Sequence, residues 1–103
     1  MSGIDPLIHP PARLKLMTVL TGVSEAEFVT LRDLLDVSDS VLSKHVSALA
    51  GGRYVTSRKG VQDGRRTTWV ALTRTGDKAL RAHVAALRAM IDAVGPATPA
   101  ERA

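Results

Sequence analysis

The chain has 103 residues, of which 45% are hydrophobic and 23% charged, and a formal net charge of +4, as expected of one soluble globular domain. The absence of cysteine excludes a disulfide scaffold, a thiolate metal site, a cysteine nucleophile and a thiol redox switch. No apolar run approaches the roughly 18 residues of a membrane span, and the first residues lack a signal-peptide pattern, so we expect a cytoplasmic protein without a membrane partner.

The first predicted helix begins at the proline pair Pro10 and Pro11, because proline is tolerated in a first helical turn. Apolar residues then recur with helical spacing from Leu16 to Val23. This pattern predicts a helix of about ten residues that ends near Gly22.

Two further helices are predicted close together. Apolar spacing indicates one helix over residues 30–35 and another over residues 38–50, which Ser38 or Asp39 can cap at its start. The glycine pair at 51–52 ends the second of them. Only about three residues separate the two helices, and helices joined so tightly form a helix-turn-helix.

The following segment changes from helical to strand-like spacing. The β-rich runs at residues 54–57 and 67–72 predict a hairpin, joined by a polar loop that contains Gly60 and Gly64. Residues 53–74 carry six of the 14 Lys and Arg side chains and a single carboxylate. Such a concentration of positive charge suggests a polyanion as partner, with a solubilising hairpin as the alternative.

A long C-terminal helix is predicted over residues 75–94, with Thr73 as its cap. Five apolar residues alternate along it at four- and three-residue steps: Leu80, Val84, Leu87, Ile91 and Val94. A seam of this length is more than a three-helix core can cover, so we predict that much of it forms a homodimer interface. Packing of the seam on the chain's own domain stays the alternative. Residues 95–103 are predicted to be a disordered tail.

Several short phrases in this order carry a resemblance to a known family. They are IHPPARL at 8–14, FVTLRDLL at 28–35, LSKHVSAL at 42–49, YV at 54–55, GRRTTW at 64–69 and LTRTG at 72–76. The chain resembles small winged-helix transcriptional regulators of the MarR and ArsR kind. The resemblance implies a mainly α fold with a small β-hairpin, the winged helix-turn-helix. It also implies one DNA-binding domain over residues 1–94 that includes a dimerisation helix at 75–94.

One position departs from the pattern of these regulators, which place glycine directly before the tyrosine that follows the third helix. This chain has Arg53 before Tyr54. We predict that the upstream glycines at 51–52 supply the left-handed turn instead.

The polar face of the third helix is the predicted major-groove surface. Short hydroxyls and one cation lie opposite its apolar face and let the helix lie deep in the groove. His45 lies at the boundary of the two faces, where a DNA contact and a packed side chain are both open. Asp39 either favours the helix dipole or repels phosphate. With Thr30 as a phosphate donor, the predicted contacts are Thr30, Ser38, Ser40, Ser43, Lys44, His45 and Ser47.

The basic hairpin is predicted to act as a wing over residues 57–68. Its cations surround a flexible glycine-rich tip and suit a narrow minor groove or the phosphate backbone. The predicted wing contacts are Arg58, Lys59, Arg65 and Arg66. We assign Trp69 and Phe28 to the core rather than to base stacking, because the chain has only three aromatic residues.

These features together predict a sequence-specific regulator of transcription that binds double-stranded DNA as a homodimer and represses by steric block. The alternative is a winged helix that docks an acidic protein partner. No catalytic motif is present, so we expect neither an enzyme nor a cofactor or metal site. The resemblance leaves open a small-molecule effector, for which the sequence has no residue signature.

Overall fold

The computed structural model describes residues 3–95 and shows four helices and three strands over that range. They follow in the order α1 (Pro11–Leu20), β1 (Ala26–Glu27), α2 (Phe28–Leu35), α3 (Asp39–Gly51), β2 (Val55–Gln62), β3 (Arg65–Leu72) and α4 (Arg74–Val94). Helices α2 and α3 form the helix-turn-helix, and β2 and β3 form the hairpin. The predicted winged helix with a long C-terminal helix is therefore confirmed.

The core lies where the three short helices meet the base of the hairpin and the first half of α4. Its buried apolar residues are Ile8, Leu16, Met17, Leu20, Leu31, Leu35, Leu42, Val46, Leu49, Val55, Val70 and Leu80. Burial of a side chain of this size stabilises the folded chain by about 1.5–3 kcal/mol. Both α3 and the hairpin contribute residues to this cluster, so the same core anchors both elements.

Hydroxyl caps define the starts of α3 and α4, as predicted. Ser38 Oγ accepts a hydrogen bond from the backbone N–H of Val41 at 3.2 Å. Thr73 Oγ1 accepts from Gly76 N–H at 2.9 Å and donates to the carbonyl of Arg53 at 2.7 Å. Each cap satisfies one of the free N–H groups of a first turn, which is worth about 1 kcal/mol.

The paired part of the hairpin is longer than predicted. Strands β2 and β3 pair from Val55↔Leu72 out to Gln62↔Arg65, and the turn consists only of Asp63 and Gly64, with φ of 51° and 76°. Two central residues with positive φ are typical of a tight turn that matches the strand twist, so pairing continues to the tip. The predicted polar loop with a flexible glycine-rich tip is wrong, since Gly60 lies within β2 opposite Thr67.

Strand β1 was missed, because two residues leave no periodic pattern. Ala26 and Glu27 pair with Val70 and Trp69, which gives the antiparallel strand order β1-β3-β2. Thr67 Oγ1 donates to the Glu27 carboxylate at 2.8 Å and closes the same edge. This short strand ties the start of α2 to the hairpin.

The turn after α3 uses a different residue from the one predicted. Gly51 is the last residue of the helix and Gly52 has a φ of −86°, whereas Arg53 has the left-handed φ of 64°. The prediction that the glycine pair supplies the left-handed conformation is therefore wrong. Gly52 serves close packing instead, because a Cβ there would lie 2.5 Å from Leu7 Cδ2.

The predicted seam of α4 divides into two parts. Leu80 is buried in the chain's own core and Val84 packs against it, because the first half of the helix lies on α1. Leu87 is half-buried, whereas Ile91 and Val94 are 69% and 85% exposed. The predicted interface is corrected accordingly: its first two residues serve the fold of the single chain. The predicted tail lies, from residue 96 on, outside the described residues.

The N-terminal segment is tied to α4 by a network that spacing along the chain did not reveal. The backbone N–H of Asp5 donates to Nδ1 of His83 at 3.0 Å, and the Tyr54 hydroxyl donates to the Asp5 carboxylate. His83 is fully buried, and its ring packs edge-on against His9 with centroids 5.6 Å apart. Among residues 3–95, no three acidic or histidine side chains cluster as metal ligands, and no helix is long and apolar enough to cross a membrane.

Candidate nucleic-acid interface

One face of α3 is free of contacts with the core. The buried residues Leu42, Val46 and Leu49 lie on the inner face, and the residues half a turn away point to solvent. The exposed polar residues on the outer side are Ser40, Ser43, Lys44 and Ser47. The structure thus brings four of the seven predicted DNA contacts of the helix-turn-helix onto one exposed face.

The start of α3 is cross-linked to α2. Arg32 donates to the Asp39 carboxylate at 3.1 Å and to Asp33 at 3.2 Å, and these two bonds raise the pKa of Arg32. The Asp39 charge, for which two readings were open, is thus engaged with a cation of the preceding helix. The predicted contact Ser38 is exposed, but its Oγ already accepts the capping bond and lies 3.3 Å from Ser40 Oγ.

Val41 is an exposed apolar residue that the sequence analysis missed. Its side chain is 40% exposed in the first turn of α3, beside the hydroxyl of Ser40. Recognition helices contact base edges with their N-terminal residues, and an apolar side chain suits the methyl group of thymine. The signal that identifies it is the exposure of a β-branched residue between polar neighbours.

His45 lies between α3 and α1 and is half-buried. Its Nδ1 accepts a hydrogen bond from Nε–H of Arg13 at 3.0 Å. Burial, and then the positive charge of Arg13, lower the pKa of His45 below its ordinary value. The structure thus engages one ring nitrogen of His45 within the protein.

The cations of the hairpin lie on two opposite faces. Side chains alternate along a strand, so Lys59 and Arg66 share the face of the buried Val70, while Arg58 and Arg65 lie on the other. The first pair lines a shallow recess near the tip of the hairpin. The four predicted wing contacts therefore form two pairs rather than one cluster around the tip.

Arg58 differs from the other three because it is engaged within the protein. Its Nε donates to the Glu25 carboxylate at 3.0 Å, and a second bond joins Nη2 to the same carboxylate. Its guanidinium also lies 5.4 Å from the centre of the Trp69 ring. The hydrogen bond from Arg58 lowers the pKa of Glu25. Within residues 3–95, Lys59, Arg65 and Arg66 form no ion pair, which leaves their charges available to a partner.

Thr30 and Trp69 complete the predicted set. Thr30 is exposed in the first turn of α2, where a hydroxyl can reach a phosphate. Phe28 packs against the core, as predicted. Trp69 is half-buried beneath Arg58 on the hairpin face opposite the buried Val70, so its predicted place in the core is wrong. The polar α3 face and the hairpin cations form the candidate interface.

Comparison with known proteins bears on this surface. The model of the family described as winged helix DNA-binding domain matches residues 12–91. The chain belongs to this family. Because the matched region includes the helix-turn-helix, the hairpin and most of α4, the predicted winged-helix identity is confirmed over almost the whole described chain. The family is one of DNA-binding domains and not of enzymes.

Solved structures with the same fold include transcriptional regulators. The chain is 27% identical to a transcriptional regulator homologue from Pyrococcus horikoshii OT3, with a TM-score of 0.81 over 87% of this chain and 89% of that one. It is 25% identical to a MarR-family regulator from Silicibacter pomeroyi, with a TM-score of 0.62 over 98% of this chain and 64% of that one. An uncharacterised protein from Methanocaldococcus jannaschii is 29% identical over 78 residues, which are 76% of this chain and 85% of that protein.

Proposed function

We propose that the protein is a homodimeric, sequence-specific transcriptional regulator that represses by occupying double-stranded DNA. The observation that carries this proposal is the polar outer face of α3, in a chain of the winged helix DNA-binding family whose hairpin also carries three cations without an ion pair among residues 3–95. Helix α3 enters the major groove, and the hairpin contacts the adjacent minor groove or backbone.

Base reading is assigned to the first two turns of α3. The hydroxyls of Ser40 and Ser43 and the ammonium of Lys44 are exposed hydrogen-bonding groups of different reach. Val41 adds an apolar contact for a thymine methyl group. Ser47, one turn further along the same side, is placed to contact the backbone as the helix leaves the groove.

Phosphate binding is assigned to the hairpin. Lys59 and Arg66 on one face and Arg65 on the other allow the narrow tip to meet phosphates on both sides. Arg58 supports the hairpin from its base, because Glu25 and Trp69 already hold its guanidinium. Charge of this kind binds all duplexes alike and does not select a sequence.

Dimer formation is assigned to the second half of α4. Met90, Ile91 and Val94 are between 55% and 85% exposed, and large apolar side chains that close together on one helix favour a partner surface. A second copy of the same helix would bury them in a two-fold interface, which suits an inverted DNA repeat.

The proposal is tested by selecting binding sequences from a random duplex pool and titrating the winner and a scrambled control at two salt concentrations. An enriched inverted repeat that binds about 10³-fold more tightly than the control supports specific dimeric recognition. No enrichment, with weak binding lost equally for both duplexes, would contradict it and favour the docking of an acidic protein.

Two variants separate base recognition by α3 from phosphate binding by the hairpin, both measured on the selected duplex. Lys44→Ala should weaken the winner by about 1–3 kcal/mol and reduce its advantage over the control. The double variant Arg65→Ala with Arg66→Ala should weaken both duplexes alike and reduce the slope of log affinity against log salt by about 2. Wild-type affinity of the double variant would remove the hairpin from the mechanism.

A further inference from the structure

The segment at residues 8–14 contacts both the core and α3, and none of its residues is among the predicted DNA contacts. Ile8 is fully buried in the core, and two positions into α1 the side chain of Arg13 turns toward α3. Its Nε–H donates to His45 Nδ1 at 3.0 Å, and its Nη1 donates to the carbonyl of Leu7 at 3.3 Å. Arg13 thus joins the N-terminal segment, α1 and the recognition helix.

The chemistry of this contact fixes the protonation of His45. A guanidinium has only N–H donors, so the ring nitrogen that faces Arg13 must be an unprotonated acceptor. A proton on that nitrogen would place two donors and two positive charges 3.0 Å apart. The hydrogen bond therefore exists only with the neutral ring that carries its hydrogen on Nε2.

The contact between Arg13 and His45 lies close to the polar face of α3 that we propose to contact base edges. His45 directly follows Lys44 and lies two residues before Ser47 on α3. The inner face of the helix is held by apolar packing, which has no preferred direction, whereas the bond from Arg13 is directional. Loss of that bond would leave α3 held by its apolar packing and by the Arg32–Asp39 bond at its first turn, so the rotation of the helix at His45 would be less defined.

We propose that Arg13 is a positioning residue for the recognition helix, and that protonation of His45 releases this hold and weakens DNA binding. The inference rests on the proposed function, since its effect is read out on DNA. The expected loss of affinity in acid is opposite to the usual effect on a DNA-binding surface, where an added positive charge strengthens the attraction to phosphate.

Of the charged groups that the structure describes, Arg13 alone acts, together with burial, on the pKa of His45. Helices α1 and α2 and strand β2 pack against α3. On α1, Lys15 is exposed and lies about 200° around the helix from Arg13. On α2, Arg32 is bound to Asp33 and Asp39.

The strand that packs against α3 also offers no substitute for Arg13. On β2, Arg58 is bound to Glu25, and Lys59 stands opposite Thr68 on the hairpin. Arg13 is the charged group that contributes to the shift of the His45 pKa, together with burial. The pKa of His45 is therefore lowered by burial of the ring and by the charge of Arg13.

The pair itself is tested without DNA, by NMR titration of the histidine side chains in the wild type and in Arg13→Leu. We expect the Nε2–H tautomer of His45 at neutral pH, and a rise of its pKa in the variant because a neighbouring cation is removed. Lys15→Leu removes an equal charge from the same helix and should leave the His45 pKa unchanged. The opposite tautomer, or an equal response to both variants, would overturn the proposal.

The effect on recognition is tested by measuring affinity for the selected duplex between pH 7.5 and pH 5.5, with the folded fraction followed by circular dichroism. We expect the wild-type affinity to fall as His45 becomes protonated, by at most about fivefold, which is the size of one fully lost hydrogen bond. His45→Gln keeps an acceptor for Arg13 without a titrating ring, so its affinity, whatever its value at pH 7.5, should stay level on acidification.

The outcomes distinguish this inference from the proposed function. A protein that selects no duplex at pH 7.5 overturns both. Specific binding that strengthens in acid, or that falls equally in His45→Gln, overturns the positioning role alone and would make His45 a phosphate contact or a bystander. Equal losses of affinity in Arg13→Leu and Lys15→Leu at pH 7.5 would mean that Arg13 acts only through its positive charge, which would overturn its positioning role.

Discussion

The two halves of α4 have the same helical geometry but different surroundings. In the first half Gly76, Leu80 and His83 are buried against the rest of the chain, and Thr73 caps the helix. In the second half Met90, Ile91 and Val94 face solvent. One continuous apolar seam in the sequence therefore divides in the structure, since its first part completes the core and its second part is exposed, where we propose the dimer contact.

The largest expected effect is at Gly76 in the first half. A Cβ at this position would lie 2.1 Å from the carbonyl oxygen of Tyr54, which is backbone and cannot move aside as a side chain can. We expect Gly76→Ala to destabilise the fold by roughly 3 kcal/mol or more, as overpacking against backbone does. Chemical denaturation measures the change.

Gly51→Ala is the matched control, because nothing lies within 4 Å of a Cβ there and the residue is helical. It should be neutral or slightly stabilising. Equal destabilisation by the two alanines would mean that α4 does not dock as closely on Tyr54 as described.

The next effect compares one residue from each half. Leu80→Ala removes a core side chain that is 5% exposed and should reduce the free energy of unfolding by about 2–4 kcal/mol. Ile91→Ala should change the unfolding of the dilute chain by less than about 0.5 kcal/mol, because Ile91 is 69% exposed. Its effect should appear instead as a weaker dimer in sedimentation experiments. Equal losses of stability would contradict the division of the helix.

A smaller effect is the pH dependence that His83 gives to the first half. Burial lowers the pKa of His83, the nearby His9 lowers it further, and Asp5 partly opposes them. The unfolded chain therefore binds more protons than the folded one, so stability is complete above the ordinary histidine pKa of about 6.5 and is lost as the pH falls below it. Thermal unfolding between pH 8 and pH 5 follows this loss.

His83→Gln separates this contribution from that of His45. The glutamine oxygen can accept the bond from the Asp5 N–H but does not titrate. We expect a flatter dependence of stability on pH in this variant, and a separate reduction in His45→Gln, whose pKa is also lowered. A slope of stability against pH that is unchanged in His83→Gln would show that the buried ring is not the source.

The smallest expected effect concerns the turn between α3 and β2, which contacts the cap of α4. Arg53 has a φ of 64°, a conformation that costs a residue with a Cβ about 1–2 kcal/mol, while its carbonyl accepts a bond from the Thr73 cap. Arg53→Gly should stabilise the chain by about 0.5–1 kcal/mol after the greater entropy of unfolded glycine is counted. A destabilised variant would mean that the Arg53 side chain contributes more than its backbone strain costs.

Local signals predicted much of this fold. The caps Ser38 and Thr73, the glycine stop of α3 and the apolar period of α4 depend on residues a few positions apart, and the structure has them where expected. The exposed face of α3 followed from the same period. The two-residue strand β1 carried no such signal, and the paired length of the hairpin was underestimated because Gly60 was read as a loop residue.

Contacts between distant residues were beyond the reach of sequence patterns. Asp5 and His83 are 78 positions apart and Arg13 and His45 are 32 apart, so no spacing connects them. The pairing of Arg58 with Glu25 likewise depends on how the hairpin folds back on β1. The apolar period of α4 was predicted correctly, but the sequence did not show which part of the seam packs on the core of the same chain and which part is exposed.

The most direct test of this account is the mass of the complex between the protein and its selected duplex, measured by native mass spectrometry for the wild type and for Ile91→Asp. We expect two chains on each inverted repeat for the wild type. For the variant, whose new charge would be buried in the interface, we expect a folded monomer that binds the repeat weakly. A single wild-type chain on the duplex, or full affinity of a monomeric Ile91→Asp, would contradict the assignment of the second half of α4 to the dimer that reads DNA.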